Sequence, residues 1–513
     1  MAVTPSRPQA IDAAMSWPSR RTASGAQPSY LWATIAVVVG LTLLRLIGLR
    51  FSVVDLFYDE AQYWSWSRDL ALGYYTKPPL LAWVIAAAEH VCGSDEWCVR
   101  APSPIFHAAT SFAVYALGRR LYDERVGFWA ALLTVFSTGI VFSARIISTD
   151  VPLLFFWAVA LLAYVSILAE PSKRWAAVLG VSIGLGLLAK YAMIYFLPGM
   201  ALAALFSRRA RLVFARSDVW LALLLAAVVV APNIAWNAAN SFATFQHTGG
   251  LVIGEPVRPS IMRGLEFLAA QFGVFGPITF AVMIIATLRL GSRDLLEQDR
   301  ILVAFFIPAL AIVTGFAIAV KAYENWAAVS AVSGIVLAAA ALSRRDARIW
   351  MWVSVAIGIV AQVALIGADA MADRLSLHGS SPYKRTIGWR EFGEAAGQVA
   401  RQAGAKTIVS ESRSEFAALQ YYWRDRPEKV LWWRSEELPA FELKQALTQE
   451  SPEPIVFVTG CAALDKVRSV YATVEPLGRI VAPIGKLPQN GERVFYAFRL
   501  SGPRGMIPPF GGC

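Results

Sequence analysis

The sequence predicts a mainly α-helical protein that crosses a membrane many times and ends in a small α/β domain. Three observations carry that reading. The 513 residues are 57% hydrophobic and 16% charged, with a mean hydropathy of +0.50, where a soluble chain would carry roughly a quarter charged residues. Apolar runs of bilayer-spanning length follow one another, and cations gather in every second loop between them. Beyond Ala370 those runs stop, and short strand-like and helix-like segments replace them. The net charge of +11 sits in short loops between spans, which is a topogenic pattern and not the footprint of a nucleic-acid binder.

Residues 1–29 are rich in Ser, Pro and Arg and read as a disordered cytoplasmic tail. The run from Leu31 to about Gly48 lacks a small-residue cleavage site and reads as an uncleaved signal anchor. Further runs lie at 101–118, 126–143, 151–169, 175–189, 191–206, 219–236, 266–288, 301–320, 326–342 and 349–367, giving about eleven spans in a membrane module over 30–369. Arg119/Arg120/Arg125, Lys173/Arg174, Arg208/Arg209/Arg211/Arg216, Arg289/Arg293/Arg300 and Arg344/Arg345/Arg348 fall in alternate loops. Those loops should be cytoplasmic, which leaves the amino terminus inside and the loop at 50–100 outside. An odd number of spans places residues 370–513 outside as well.

In the 50–100 loop, Tyr63, Trp64 and Trp66 suit an interfacial helix, and Pro79–Val91 is apolar but too short to span. Cys92 and Cys98 lie close together there, so a local disulfide fits an oxidising compartment, whereas a zinc site would need more than the nearby His90. In the last segment, 407–411, 455–459 and 493–499 read as strands, and 389–403, 414–424 and 461–471 as helices.

The chemistry concentrates just after the first span, in Phe57-Tyr58-Asp59-Glu60-Ala61-Gln62-Tyr63-Trp64 and Gly73-Tyr74-Tyr75-Thr76-Lys77-Pro78-Pro79-Leu80. Ionisable groups at a membrane face usually mark a site. Asp59 and Glu60 could instead cap an interfacial helix, and Asp150 could cap its own span, with Pro152 in the first turn. Two acids from different loops on one face nonetheless make a constellation. Lys77, stiffened by Pro78 and Pro79, is suited to a phosphate, with a snorkelling lysine as the plain alternative. Lys190, at the turn before Tyr191, offers a second such contact with the same alternative. Lys321-Ala-Tyr-Glu-Asn-Trp offers Tyr323, Glu324 and Asn325, although an interfacial anchor explains that segment as well. Gly184-Leu-Gly186 lacks the strand–loop–helix setting of a phosphate loop and suits helix packing instead. His107 and His247 have no ligand partners at metal spacing. The physical reading is a lipid-phosphate substrate, with a carboxylate taking a proton from an attacking hydroxyl and lysines offsetting charge on a departing phosphate.

Asp59-Glu60 after the first span, Gly-Tyr-Tyr-Thr-Lys-Pro-Pro-Leu and Ser148-Thr149-Asp150-Val-Pro-Leu together resemble the C-type (GT-C) membrane glycosyltransferases. The bacterial branch related to protein O-mannosyltransferases and to the aminoarabinose and galacturonic acid transferases of lipid A is the most similar. Trp389-Arg390-Glu391 and Ser414-Glu415-Phe416 through Tyr421-Tyr422 are similar, more loosely, to that branch's outer domain. The resemblance implies a GT-C bundle in the bacterial inner membrane, with a periplasmic active site and a periplasmic α/β domain. It implies inverting transfer of a sugar from a polyprenyl-phosphate donor to lipid A or another envelope glycolipid, with protein O-glycosylation as a variant. Asp59 would be the catalytic base, Glu60 its companion acid and Asp150 a second acid ordering the site. Lys77, Lys190, Tyr63 and Tyr323 would contact substrate. The partners are then lipids and no nucleic acid. The sequence calls for no cofactor, and the need for a divalent cation is left open. A flippase for lipid-linked sugars would instead need midplane polar residues and symmetric halves, and the spans carry almost no midplane charge.

Overall fold

The computed structural model describes residues 30–253, 258–290, 295–434, 443–461 and 464–510. The expected tail at 1–29, Arg293 and Cys513 lie outside them. Every apolar run read from the sequence falls on helix, and the chain is an integral membrane protein of mostly helical architecture. The elements used below are α1 (Tyr30–Phe51), α2 (Tyr58–Ser67), α3 (Leu80–Cys92), α4 (Pro102–Leu121), α5 (Asp150–Ala169), α6 (Lys173–Ala189), α7 (Ser217–Ala239), α8 (Ala243–Ile253), α9 (Glu297–Ala319), α10 (Ser330–Arg344) and α11 (Arg348–Ala370). Among the described residues α1, α5, α7, α9 and α11 are long and apolar enough to cross a membrane by length and composition. Other runs are divided. The 126–143 run breaks after Val135, and 266–288 breaks between Phe275 and Pro277.

Helix α5 is the buried centre of the bundle. Trp157, Leu161 and Tyr164 have no exposed surface, and Trp157 and Tyr164 meet Phe196 and Phe305 edge-on, with ring centroids 5.1–6.5 Å apart. Such contacts add to area burial and fix the helix that Asp150 opens. Helix α6 packs closely on α7 because Gly184 has no side chain: a Cβ there would lie 2.5 Å from Val229 Cβ. The glycines preceding Lys190 therefore serve packing.

The segment after α1 folds back on itself before the bundle resumes. Helices α2 and α3 are joined through Glu89, which accepts hydrogen bonds from Trp64 Nε1 at 2.5 Å, Ser67 Oγ at 2.6 Å and Ser94 Oγ at 2.5 Å. The Cys92–Cys98 disulfide is formed and closes the turn after α3.

From Trp389 onward the chain builds a five-stranded sheet. Its elements are α12 (Trp389–Gln402), β1 (Thr407–Ser410), α13 (Arg413–Tyr422), β2 (Lys429–Trp432), β3 (Ile455–Thr459), β4 (Tyr471–Pro483) and β5 (Glu492–Pro503). The order is β2-β1-β3-β5-β4, with β1 parallel to both its neighbours and β5 antiparallel to β3 and β4. Of the described residues in the segment 461–471, expected to be helical, Asp465–Val470 are helix, and Tyr471 opens β4. Pro476 and Gly478 bracket a register shift in β4 and interrupt the alternation that would have marked the strand. The sheet unit rests on α2: Phe416, Ala417, Tyr421 and Trp432 share one apolar cluster with Tyr63, Trp64, Trp66 and Leu81.

Candidate active site

Helix α2 turns its two acids to opposite tasks. Glu60 points inward, its side chain only 3% exposed against 2% for Arg100. Arg100 forks onto it, Nε to Oε1 at 2.9 Å and Nη2 to Oε2 at 2.6 Å. Two backbone amides complete the set, Phe57 N donating to Oε2 at 3.0 Å and Ile147 N to Oε1 at 2.9 Å. Both oxygens are thus claimed twice. Glu60, grouped with the catalytic acids on the sequence, joins the α2 start to the loop leading into Asp150.

Asp59 lies one residue earlier and faces outward, about one third exposed. Its Oδ1 accepts from Arg413 Nη2 at 2.5 Å. Arg413 also donates to Gln62 Oε1, from Nε at 2.7 Å and from Nη2, and its guanidinium lies 5.2 Å from the Tyr58 ring centroid. Asp59 Oδ2 takes no hydrogen bond among the described residues. Arg413 opens α13 in the sheet unit, more than 350 residues along the chain from its partner. The residues just after it, Ser414-Glu415-Phe416, carry part of the family resemblance, but no local pattern singles out the arginine.

Asp150 is held on both sides. Lys190 Nζ donates to Oδ1 at 2.7 Å and Asn325 Nδ2 to Oδ2, also at 2.7 Å. Lys190, expected to contact substrate, is therefore ion-paired. Tyr323, the expected contact from its loop, is 51% exposed, with the Lys321 ammonium 5.2 Å from its ring centroid. Asn325, two residues on, reaches the acid instead. A one-turn 3-10 helix over Glu324–Ala327 aims it there, and that geometry has no pattern in the sequence.

The Gly73–Lys77 loop is gripped from above by α7 and α8. Asn233 Nδ2 donates to Leu72 O at 2.7 Å, and Thr244 Oγ1 to Tyr74 O at 2.6 Å. Tyr191 Oη in turn donates to Asn233 Oδ1 at 2.9 Å, so the residue after Lys190 helps fix the loop that carries Lys77. Gly73 must be glycine, because a Cβ would sit 2.4 Å from the Trp236 ring. Lys77 itself is half-buried, and no hydrogen bond or ion pair holds its ammonium among the described residues. Burial, and then the neighbouring Lys190 charge, push its pKa down to about 8 against the opposing pull of Asp59 and Asp150. His247, dismissed on the sequence for want of metal partners, comes into this field: burial and the charges of Lys77 and Arg413 hold it down at about 4. Tyr63 is buried, and burial and the Asp59 charge keep its phenol well above the ordinary tyrosine range. Among the described residues no three His, Cys, Asp or Glu side chains stand close enough together to hold a metal ion. The arrangement can take a proton on Asp59 and offer cations to a phosphate.

Comparison with known proteins identifies relatives of the chain. Residues 76–236 match the model of the dolichyl-phosphate-mannose-protein mannosyltransferase family. The lipid A galacturonosyltransferase RgtD of Rhizobium johnstonii is 36% identical over 431 residues, covering 83% of this chain and 90% of that one. The lipopolysaccharide core galacturonosyltransferase RgtA of the same organism is 25% identical over 286 residues, 52% of this chain and 56% of that one. Among solved structures, ArnT from Cupriavidus metallidurans bound to undecaprenyl phosphate superposes with a TM-score of 0.64 at 13% identity, covering 91% of this chain and 98% of that one.

Proposed function

The chain belongs to the GT-C membrane glycosyltransferases that take sugars from polyprenyl phosphates, and on that premise we propose that it transfers galacturonic acid from a polyprenyl-phosphate donor to lipid A. The sugar and the acceptor follow the name of the 36% identical relative; the donor carrier follows the lipid bound by the similarly folded ArnT. The residues 30–369 form the catalytic membrane module of about eleven spans in the bacterial inner membrane. The amino terminus is cytoplasmic, and the sheet unit within 370–513 is a periplasmic domain, as the alternation of basic loops directs.

The observation that carries the mechanism is the state of the three acids. Glu60 has both oxygens saturated and Asp150 has both engaged, while Asp59 keeps Oδ2 open and a third of its side chain exposed. Asp59 is the general base. It takes the proton from the acceptor hydroxyl as that oxygen bonds to the anomeric carbon from the face opposite the leaving group. The bond from the anomeric carbon to the phosphate oxygen breaks, the configuration inverts and polyprenyl phosphate departs. Lys77, whose ammonium has no hydrogen bond or ion pair among the described residues, receives the growing phosphate charge. Lys190 and Asn325 fix Asp150, which sets the field around Lys77, and Arg413 orients Asp59.

Asp59→Asn in proteoliposomes supplied with polyprenyl-phosphate galacturonic acid and lipid A tests the reading, with the added sugar mass on lipid A as the readout. Transfer should fall by about 100-fold or more, the usual contribution of a positioned base. Transfer at the wild-type rate would remove Asp59 from the chemistry.

A further inference from the structure

A second charged site lies away from Asp59, in a narrow cleft between α1, α11 and the stretch 141–145. Its walls are Arg45, Gly48, Ala144, Arg145, Gln362 and Asp369, together with the apolar Leu49, Val141 and Ile366. Arg45 is only 3% exposed, although it sits inside a spanning helix, where an arginine is expensive and marks function. Its Nε donates to Gln362 Oε1 and its Nη2 to Val135 O, both at 2.7 Å. Arg145 Nη2 pairs with Asp369 Oδ1 at 2.6 Å, and Tyr383 Oη donates to the same oxygen at 2.7 Å.

Two donors remain. Arg45 Nη1 and Arg145 Nε are both buried and have no hydrogen-bond partner among the described residues. Unpaired buried donors are costly, and here two guanidiniums on different elements carry them at one cleft. Arg45 and Arg145 against Asp369 leave a surplus positive charge. The surroundings are built for lipid: Leu43, Leu44, Ile47, Phe51, Phe142, Val360 and Val363 are all large, apolar and exposed on the flanking segments. Asp369 is one residue from the end of α11 and Arg45 is about 9 Å short of the end of α1 at 1.5 Å per residue, so the cleft stands at the headgroup boundary.

We propose that this cleft binds the phosphate of a membrane lipid whose acyl chains lie along the exposed faces of α1 and α11. The free space, about 20 Å³, admits one oxygen-sized group, which matches a phosphate presenting a single oxygen to the two guanidiniums. Gly48 keeps it open, since a Cβ there would already stand 3.2 Å from Ile366 Cγ1. Arg145 begins the loop that runs through Ile147, bonded to Glu60, to Asp150, so one short loop joins the cleft to the proposed reacting centre. Only the choice of leaflet, the periplasmic one, rests on the topology proposed above.

The purified full-length protein in detergent, titrated with phosphatidic acid and read by native mass spectrometry, tests this without any transfer. Wild type should retain one phosphatidic acid under collisions that strip phosphatidylcholine. Arg45→Gln should weaken retention about tenfold, as expected for one charge-assisted contact. Gly48→Leu, which fills the cleft and alters no charge, should do the same. Equal retention by wild type and both variants overturns the site, as does displacement of the lipid by inorganic phosphate alone. A raised KM for a phosphorylated lipid acceptor in both variants, at unchanged donor KM, assigns the phosphate to the acceptor. Unchanged KM for both substrates with lost retention assigns it to bulk phospholipid, and in both cases the site stands. Because binding is scored separately from transfer, its failure leaves the transferase reading intact.

Discussion

Lys77 shows how much of the proposed chemistry depends on the surroundings of one side chain. An ordinary lysine is charged far above neutral pH, but burial and the Lys190 charge bring this one down to about 8. The sign follows directly: below pH 8 the ammonium can receive a phosphate, and above it the amine is neutral and cannot. The profile of kcat/KM for the donor, which reports free-enzyme ionisations, should therefore fall above about pH 8. Lys77→Arg keeps its charge throughout, so its alkaline limb should move up by a unit or more at reduced overall activity, and Lys77→Gln should be poorly active at every pH. An alkaline limb unchanged in Lys77→Arg would place that ionisation elsewhere. The lysine and its two prolines were visible in the sequence. The depressed pKa was not, because it arises from burial in the folded site and then from Lys190, more than a hundred residues away along the chain.

At the scale of elements, the five long apolar helices were legible because each is a continuous apolar run, and the acid-bearing helix because its aromatics flank a charged pair. The use made of that pair was hidden. Asp59 and Glu60 are adjacent and chemically alike, yet α2 turns one inward to Arg100 and the other outward to Arg413. The partner that decides between scaffold and chemistry is remote in each case, and β4 shows the same limit, since a bulge erases its period. Glu60→Gln should leave Arg100 buried without its counter-charge, at a cost of about 3–5 kcal/mol. It should lower the unfolding midpoint in detergent and detach α2 from the Ile147 amide. Arg100→Met alone should be as damaging. The pair Glu60→Met/Arg100→Met should recover much of the loss, as buried ion pairs replaced by apolar side chains commonly do. Full additivity of the two single effects would argue against a shared role.

The whole molecule adds a dependence that neither the bundle nor the sheet unit has alone. The sheet unit reaches α2 through an apolar cluster, and the segment just before α2 through Trp389 N donating to Asp55 Oδ2 at 2.9 Å and Leu56 N donating to Tyr422 Oη at 2.8 Å. With that much docking surface, Arg413 is not needed to hold the two parts together. Its fork on Asp59 and Gln62 instead reaches the proposed base from outside the bundle, so the proposed mechanism gives the sheet unit a part in orienting that base. Arg413→Ala should reduce kcat/KM by about 10- to 100-fold, the scale of losing one orienting charge-assisted contact pair, while the unfolding midpoint stays close to wild type. Arg413→Lys keeps the charge but cannot reproduce the two-armed geometry, so it should recover only part of the rate. If Arg413 were mainly an anchor, Arg413→Ala would lower the midpoint and leave the rate per folded molecule unchanged. Measuring both quantities on one detergent preparation separates the two roles, because orientation of Asp59 moves the rate and docking moves the midpoint.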